Sequence, residues 1–152
     1  MNLSSSYTFE APRRVVWKLL NDPTVIAGCL PGCESMDPTG DDSYRVVLTV
    51  GVAAISGRYE GTVTIADPHE PSDYRLVVAG TGRAGFVNGE AHVSLAELGD
   101  DADRTLVKVE GRAQVGGTIA RVGQRLLGSV SKMMMDRFFA CLATNAAASP
   151  SD

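Results

Sequence analysis

Between residues 44 and 115 apolar and polar positions alternate in five successive runs. Val46, Leu48 and Val50 fall at every second place, as do Tyr59, Gly61, Val63 and Ile65, then Leu76, Val78 and Gly80, then Ala91, Val93 and Leu95, and finally Val107, Val109, Gly111, Ala113 and Val115. Arg45, Thr49, Arg58, Glu60, Thr62, Thr64, Arg75, His92, Ser94, Lys108, Glu110 and Arg112 take places between them. A period of two puts the sets on opposite faces of a sheet, one dry and one wet. The predicted strands are 44–52, 56–66, 74–82, 86–98 and 104–115, with a first strand at 3–10 and a short one at 33–36. The breaks are Gly, Pro and Asp clusters such as Asp67-Pro68-His69-Glu70-Pro71. Connections this short suit antiparallel hairpins and leave no room for βαβ crossovers.

The period changes at both ends. Val15, Val16, Leu19 and Leu20 recur at helical spacing after Pro12, with Trp17 among them, which predicts a helix over 13–20. Asp22 before Pro23 predicts a capped second helix over 23–30, closed by the turn at Pro31-Gly32. From Gly116 to Ala146, Ile119, Val122, Leu126, Val130, Met133, Met134, Phe138 and Cys141 recur at steps of three and four, and Leu127, Met135, Phe139 and Leu142 widen the face. A single helix over 116–146 would extend about 45 Å at ~1.5 Å per residue. It has to lie on something equally long and apolar, and the dry face of the sheet is that surface. The expected fold is therefore α+β: a curved antiparallel sheet of about seven strands around one long C-terminal helix, with two short helices after the first strand. Residues 1–145 read as one domain, and 146–152 as a flexible tail or linker stub of Ala, Ser and Pro.

Composition narrows the function. The chain has 152 residues, 44% hydrophobic and 21% charged, and a net charge of −4, so one soluble domain with a substantial core is expected. No block of Lys or Arg supplies a nucleic-acid footprint. The N-terminus does not read as a signal peptide, and no apolar run approaches membrane-spanning length. Cys29, Cys33 and Cys141 form no even framework and no metal-ligand spacing, and reduced, partly buried thiols in a cytoplasmic protein are expected. His69 sits in a Pro-rich turn and His92 on the wet face. No nucleophile elbow, zinc-protease helix, phosphate loop or dinucleotide fingerprint is present.

The inward face carries a different signal. Gly57, Gly61, Gly80, Gly111 and Ala113 fall on or near it, and glycine in a strand supplies nothing to fill a core. Singly, each fits a bend in the sheet as well as a void. Together they favour an internal cavity lined by Val, Leu, Met and Phe. The Met133-Met134-Met135 run has two readings as well, filler of irregular core gaps or adaptable wall for a flexible apolar ligand.

Several stretches resemble the CoxG family, the G-subunit family of carbon monoxide dehydrogenase, within the helix-grip superfamily of START domains and polyketide cyclases. They are Val16-Trp17-Lys18-Leu19-Leu20-Asn21-Asp22-Pro23, Cys29-Leu30-Pro31-Gly32-Cys33-Glu34, Gly57-Arg58-Tyr59-Glu60-Gly61, Gly80-Thr81-Gly82 with Gly85-Phe86, and Gly116-Gly117-Thr118-Ile119-Ala120 through Gly123-Gln124-Arg125. They run through nearly the whole chain in the family's order. The resemblance implies an accessory protein of a molybdenum CO dehydrogenase-type hydroxylase, linked to coupling that enzyme to the membrane. Some members carry a C-terminal extension that reaches the membrane. The sequence here ends Ser149-Pro150-Ser151-Asp152 without an apolar anchor, so transient, peripheral contact at the inner face of the cytoplasmic membrane is expected.

Joined to the cavity, this leads to a carrier for an isoprenoid quinone such as menaquinone, with no covalent cofactor, no metal and no catalysis. The expected ligand-binding residues are Trp17, Tyr59, Gly61, Phe86, Gly111, Leu126, Leu127, Val130, Met134, Phe138 and Leu142, with Tyr59 as a candidate donor to a quinone carbonyl. The turn at residues 30–32 and the hairpin at 82–89 are candidates for the mouth, and leucine at Gly111 is expected to block the cavity with the fold kept. A non-catalytic docking or assembly factor is the alternative, marked by a filled core and an exposed apolar patch. A cyclase-like enzyme is the third reading, and it needs ionisable groups on the inward face.

Overall fold

The computed structural model describes residues 1–52 and 55–148. Among them, seven strands make one antiparallel sheet: β1 (Asn2–Phe9), β2 (Cys33–Gly40), β3 (Ser43–Val50), β4 (Gly57–His69), β5 (Asp73–Gly82), β6 (Gly85–Leu98) and β7 (Asp101–Gly116). The strand order is β1-β7-β6-β5-β4-β3-β2. Consecutive strands from β2 to β7 are therefore neighbours, and β1 closes the far edge against β7. The helices are α1 (Arg13–Leu20), α2 (Pro23–Cys29), α3 (Thr118–Arg121) and α4 (Gln124–Ala148).

The alternation acts as expected. Tyr74, Val93, Leu95, Val107 and Val109 are buried, while Arg75, His92, Lys108 and Glu110 between and beside them are exposed. The outer face carries ion pairs such as Arg45–Glu60 at 3.2 Å and Arg112–Glu90 at 3.0 Å. All of these side chains are well exposed, so each pair adds little to stability. His69 and His92 both lie on this wet side and share Asp73, at 2.8 and 3.6 Å.

The helices are seated by local chemistry. Asp22 Oδ1 accepts a hydrogen bond from the Thr24 amide at 3.0 Å, and Pro23 takes the first turn, so α2 starts where a cap and a preset φ coincide. The Thr105 side chain is fully buried and donates to the Ala11 carbonyl at 2.7 Å, which ties the entry to α1 onto β7. Tyr7 stacks on Phe139 with ring centroids 4.1 Å apart and donates to Asp136 at 2.8 Å, seating α4 on β1. Lys132 and that phenol hold the Asp136 carboxyl below the usual carboxylate range.

Three expectations need correction. The C-terminal helix is broken: α3 is one turn, and Gly123, with φ +90°, separates it from α4. That φ belongs to the left-handed region that only glycine enters freely, so the apolar period runs through a point where the helix cannot. The 25 residues of α4 extend about 37 Å. They continue to Ala148, and Ala146 is buried, so the domain reaches past residue 145. The rest of the expected tail, 149–152, lies outside the described residues. Third, Cys29 and Cys141 are joined by a disulfide across a sequence separation of 112, with Cα atoms 5.4 Å apart. The reduced-thiol expectation fails because α2 packs on α4, a contact that linear spacing does not reveal. Cys33 is the free cysteine, and burial pushes its thiol up.

The core divides in two. Phe9, Val16, Trp17, Leu20, Tyr74, Val93, Val107, Phe139 and Leu142 belong to a large cluster under α1 and the C-terminal half of α4. Ile55, Ile119, Leu127 and Val130 form a smaller one at the start of α4.

Candidate functional site

Between the two clusters the sheet and α4 do not meet. The α4 backbone comes close to α1, α2 and β1 and stands off the middle strands. The gap is a cavity of about 410 Å³, within the range of sites for small organic ligands. One wall is the inward face of β3 to β7, from Val46 and Leu48 through Val63, Leu76 and Val78 to Val109. Met134, Met135, Phe138 and Phe139 of α4 face it, and Leu20, Ile26 and Leu30 close it from α1 and α2.

The space exists because of small residues in register. Gly61 pairs with Gly80, Val78 with Gly89, Gly89 with Ala113, and Ala91 with Gly111. These neighbouring inward positions carry one carbon or none. The glycines differ, however. A Cβ on Gly61 would lie 2.1 Å from the Ala79 carbonyl oxygen, and one on Gly111 would lie 2.7 Å from that of Glu90. There the neighbouring backbone has moved into the space of a side chain, and glycine is needed for the bend itself. A Cβ on Gly80 would meet nothing nearer than 3.7 Å, so this glycine keeps the cavity open without being needed by the backbone. Both readings of the inward glycines hold, at different positions. Gly57 belongs to neither, because it is exposed at the start of β4.

Leucine at Gly111 therefore cannot block the cavity with the fold kept. Even Gly111→Ala is expected to cost about 1–3 kcal/mol by forcing β6 and β7 apart. A chemical-denaturation midpoint that does not fall would refute the close approach.

The wall is almost wholly apolar. Glu60, Glu90 and Arg112 border the cavity on strands where glycines thin the sheet, but their side chains are spent in outer-face ion pairs. Two phenols remain. The Tyr59 hydroxyl donates to the Ile55 carbonyl at 2.6 Å, which removes it as a free donor to a ligand carbonyl. Tyr74 is 4% exposed, sits edge-on to Trp17 at 5.4 Å, and has its phenol pushed well up by burial.

Of the eleven expected ligand-binding residues, the structure brings Tyr59, Gly61, Gly111, Met134 and Phe138 onto the cavity wall. The other six lie elsewhere. Trp17 and Leu142 are packed in the large cluster, Leu127 and Val130 in the small one, and Leu126 against its edge. Phe86 is 42% exposed, and its ring occupies the space over Gly116, its cross-strand partner. An aromatic there shields a bare strand backbone from water. Leu30 of the expected mouth lies on the wall. The tip of the 82–89 hairpin is fastened by a hydrogen bond from the Ile119 amide to the Ala84 carbonyl. Sequence reasoning missed Leu20, Ile26, Met36 and Tyr74 as wall residues.

A curved sheet closed over an apolar cavity by a long C-terminal helix defines a helix-grip protein. The CoxG family, the G subunits of carbon monoxide dehydrogenase, matches residues 6–147, and the chain belongs to it. It is similar to a solved conserved protein from Geobacillus kaustophilus, with 34% identity, a TM-score of 0.92, and 97% of this chain and 95% of that one covered. A START superfamily protein from Mycobacterium smegmatis matches with 12% identity, a TM-score of 0.74 and coverage of 96% and 97%. The di-domain ARO/CYC StfQ of the steffimycin biosynthetic pathway matches with 11% identity and a TM-score of 0.66, over 95% of this chain and 44% of that one. The last two likenesses concern the fold alone. No curated protein matches the sequence. No helix among the described residues is long and apolar enough to cross a membrane.

Proposed function

We propose that this protein is a non-catalytic carrier that holds an isoprenoid quinone such as menaquinone, moving it between a molybdenum CO dehydrogenase-type hydroxylase and the membrane respiratory chain. The observation that carries the reading is the 410 Å³ apolar cavity between α4 and the sheet. An unfilled apolar space costs stability, so a fold that maintains one has a use for it. Its walls suit a flat ring system and the first part of an apolar tail, and the flexible Met134 and Met135 adapt to either. Family membership supports the partner: the family is named for carbon monoxide dehydrogenase. Contact with the membrane would be transient and peripheral.

The other readings draw less support. A docking factor without a ligand calls for an exposed apolar patch, whereas the large exposed hydrophobics among the described residues are Val77 and Phe86. A cyclase-like enzyme calls for acid–base groups facing the substrate, whereas the carboxylates beside this cavity turn outward. Native mass spectrometry of protein from a quinone-producing host, followed by organic extraction, tests the carrier. A bound quinone is expected. Empty protein that also fails to take up added menaquinone would overturn the proposal.

A further inference from the structure

The cavity contains one polar group that the fold does not use. Tyr74 points inward from β5, borders the cavity, and is 4% exposed. Among the described residues its hydroxyl has no hydrogen-bond partner. It is nonetheless not sealed inside protein, because no side-chain oxygen that lacks a partner is fully enclosed. A buried phenol normally finds a partner, and leaving one without costs free energy. Tyr59, at the other end of the same wall, shows the usual arrangement, with its hydroxyl given to the Ile55 carbonyl.

We infer that the Tyr74 hydroxyl is the hydrogen-bond donor that orients the ligand: it receives a carbonyl oxygen at the head of an otherwise apolar molecule, at the end of the cavity near Trp17 and Leu20. This rests on the carrier reading and makes it specific. The ligand enters head first, its acceptor meets Tyr74, and its hydrocarbon part lies back along Val78, Gly80 and Met134 toward the small cluster. Burial keeps the phenol protonated throughout the physiological range, so it stays a donor and exchanges no proton with the ligand. An apolar wall with a single convergent donor selects for a carbonyl-headed lipid over a plain hydrocarbon of the same shape.

The test is Tyr74→Phe, compared with wild type on two probes: a short-chain menaquinone and the matching prenylated naphthalene that lacks both carbonyls. The substitution is expected to weaken quinone binding about five- to tenfold and to leave the hydrocarbon's affinity unchanged. The carbonyl stretch of bound quinone should shift upward as its hydrogen bond is lost. Ligand-free Tyr74→Phe should melt no lower than wild type and up to a few degrees higher, because it deletes a hydroxyl without a partner. Equal affinity of both proteins for the quinone, or equal weakening toward both probes, would overturn the role of Tyr74 while leaving the carrier standing. Failure of wild type to bind either probe would overturn both.

Discussion

Removing the Cys29–Cys141 cross-link is expected to lower the free energy of unfolding by about 3–5 kcal/mol. The bond closes a loop across a sequence separation of 112. A loop of about 100 residues loses roughly 4.7 kcal/mol worth of chain entropy when cross-linked in the unfolded state, and native strain or residual structure reduces the gain. For a domain of this size the deficit corresponds to a melting-point fall of roughly 10 °C or more. The effect should appear both on adding reductant to wild type and in the Cys29→Ala/Cys141→Ala protein, which should no longer respond to reductant. Thiol titration of unreduced, unfolded wild type should count one reactive cysteine, Cys33. Three reactive thiols, or a midpoint indifferent to reductant, would remove the bond from the account. The consequence extends to the site, because α2 supplies Ile26 and Leu30 to the cavity wall and the disulfide pins its end to α4.

What the sequence revealed, and what it hid, follows from the range of each signal. The sheet was legible because period two is strict: once Val107 and Val109 are inward, Lys108 has to be outward. The start of α2 was legible because Asp22 and Pro23 act within one turn. The break at Gly123 was not, because a lone glycine inside an apolar period looks the same whether its φ is helical or +90°. The disulfide was hidden by its separation. The site was half legible for a related reason. Trp17, Leu127 and Leu142 are large, apolar and on the inward stripe, as are Met134 and Phe138. Whether such a side chain meets protein or empty space depends on how far α4 stands from the sheet, which no periodicity encodes. The two tyrosines make the same point: Tyr59 and Tyr74 read alike in the strands, and only the position of the Ile55 carbonyl separates a satisfied phenol from a free one.

Gly80→Phe is the substitution expected to empty the cavity of ligand. Position 80 lies near the middle of the sheet on β5, inward by the alternation that places Tyr74, Leu76 and Val78 there. Its backbone φ is ordinary, and a Cβ would meet nothing nearer than the Glu60 carbonyl oxygen at 3.7 Å. A phenylalanine there has a suitable strand conformation and fills space that is otherwise vacant. Burying the ring and removing a glycine from a strand both favour the fold, so stability should be unchanged or about 1 kcal/mol higher. Ligand affinity should fall at least about 100-fold, or ~2.7 kcal/mol, because ring and ligand compete for one volume. Gly80→Ala separates the two effects: it should gain stability of about 0.5–1 kcal/mol and retain most binding. This contrasts with Gly111→Ala, which adds the same methyl group two strands away and is expected to lose stability, since there the Glu90 carbonyl already occupies the space. Melting curves and menaquinone titrations on the three variants therefore test one geometric statement. Quinone binding that survives in folded Gly80→Phe would place the ligand outside the cavity, and with it the main support for a carrier would be gone.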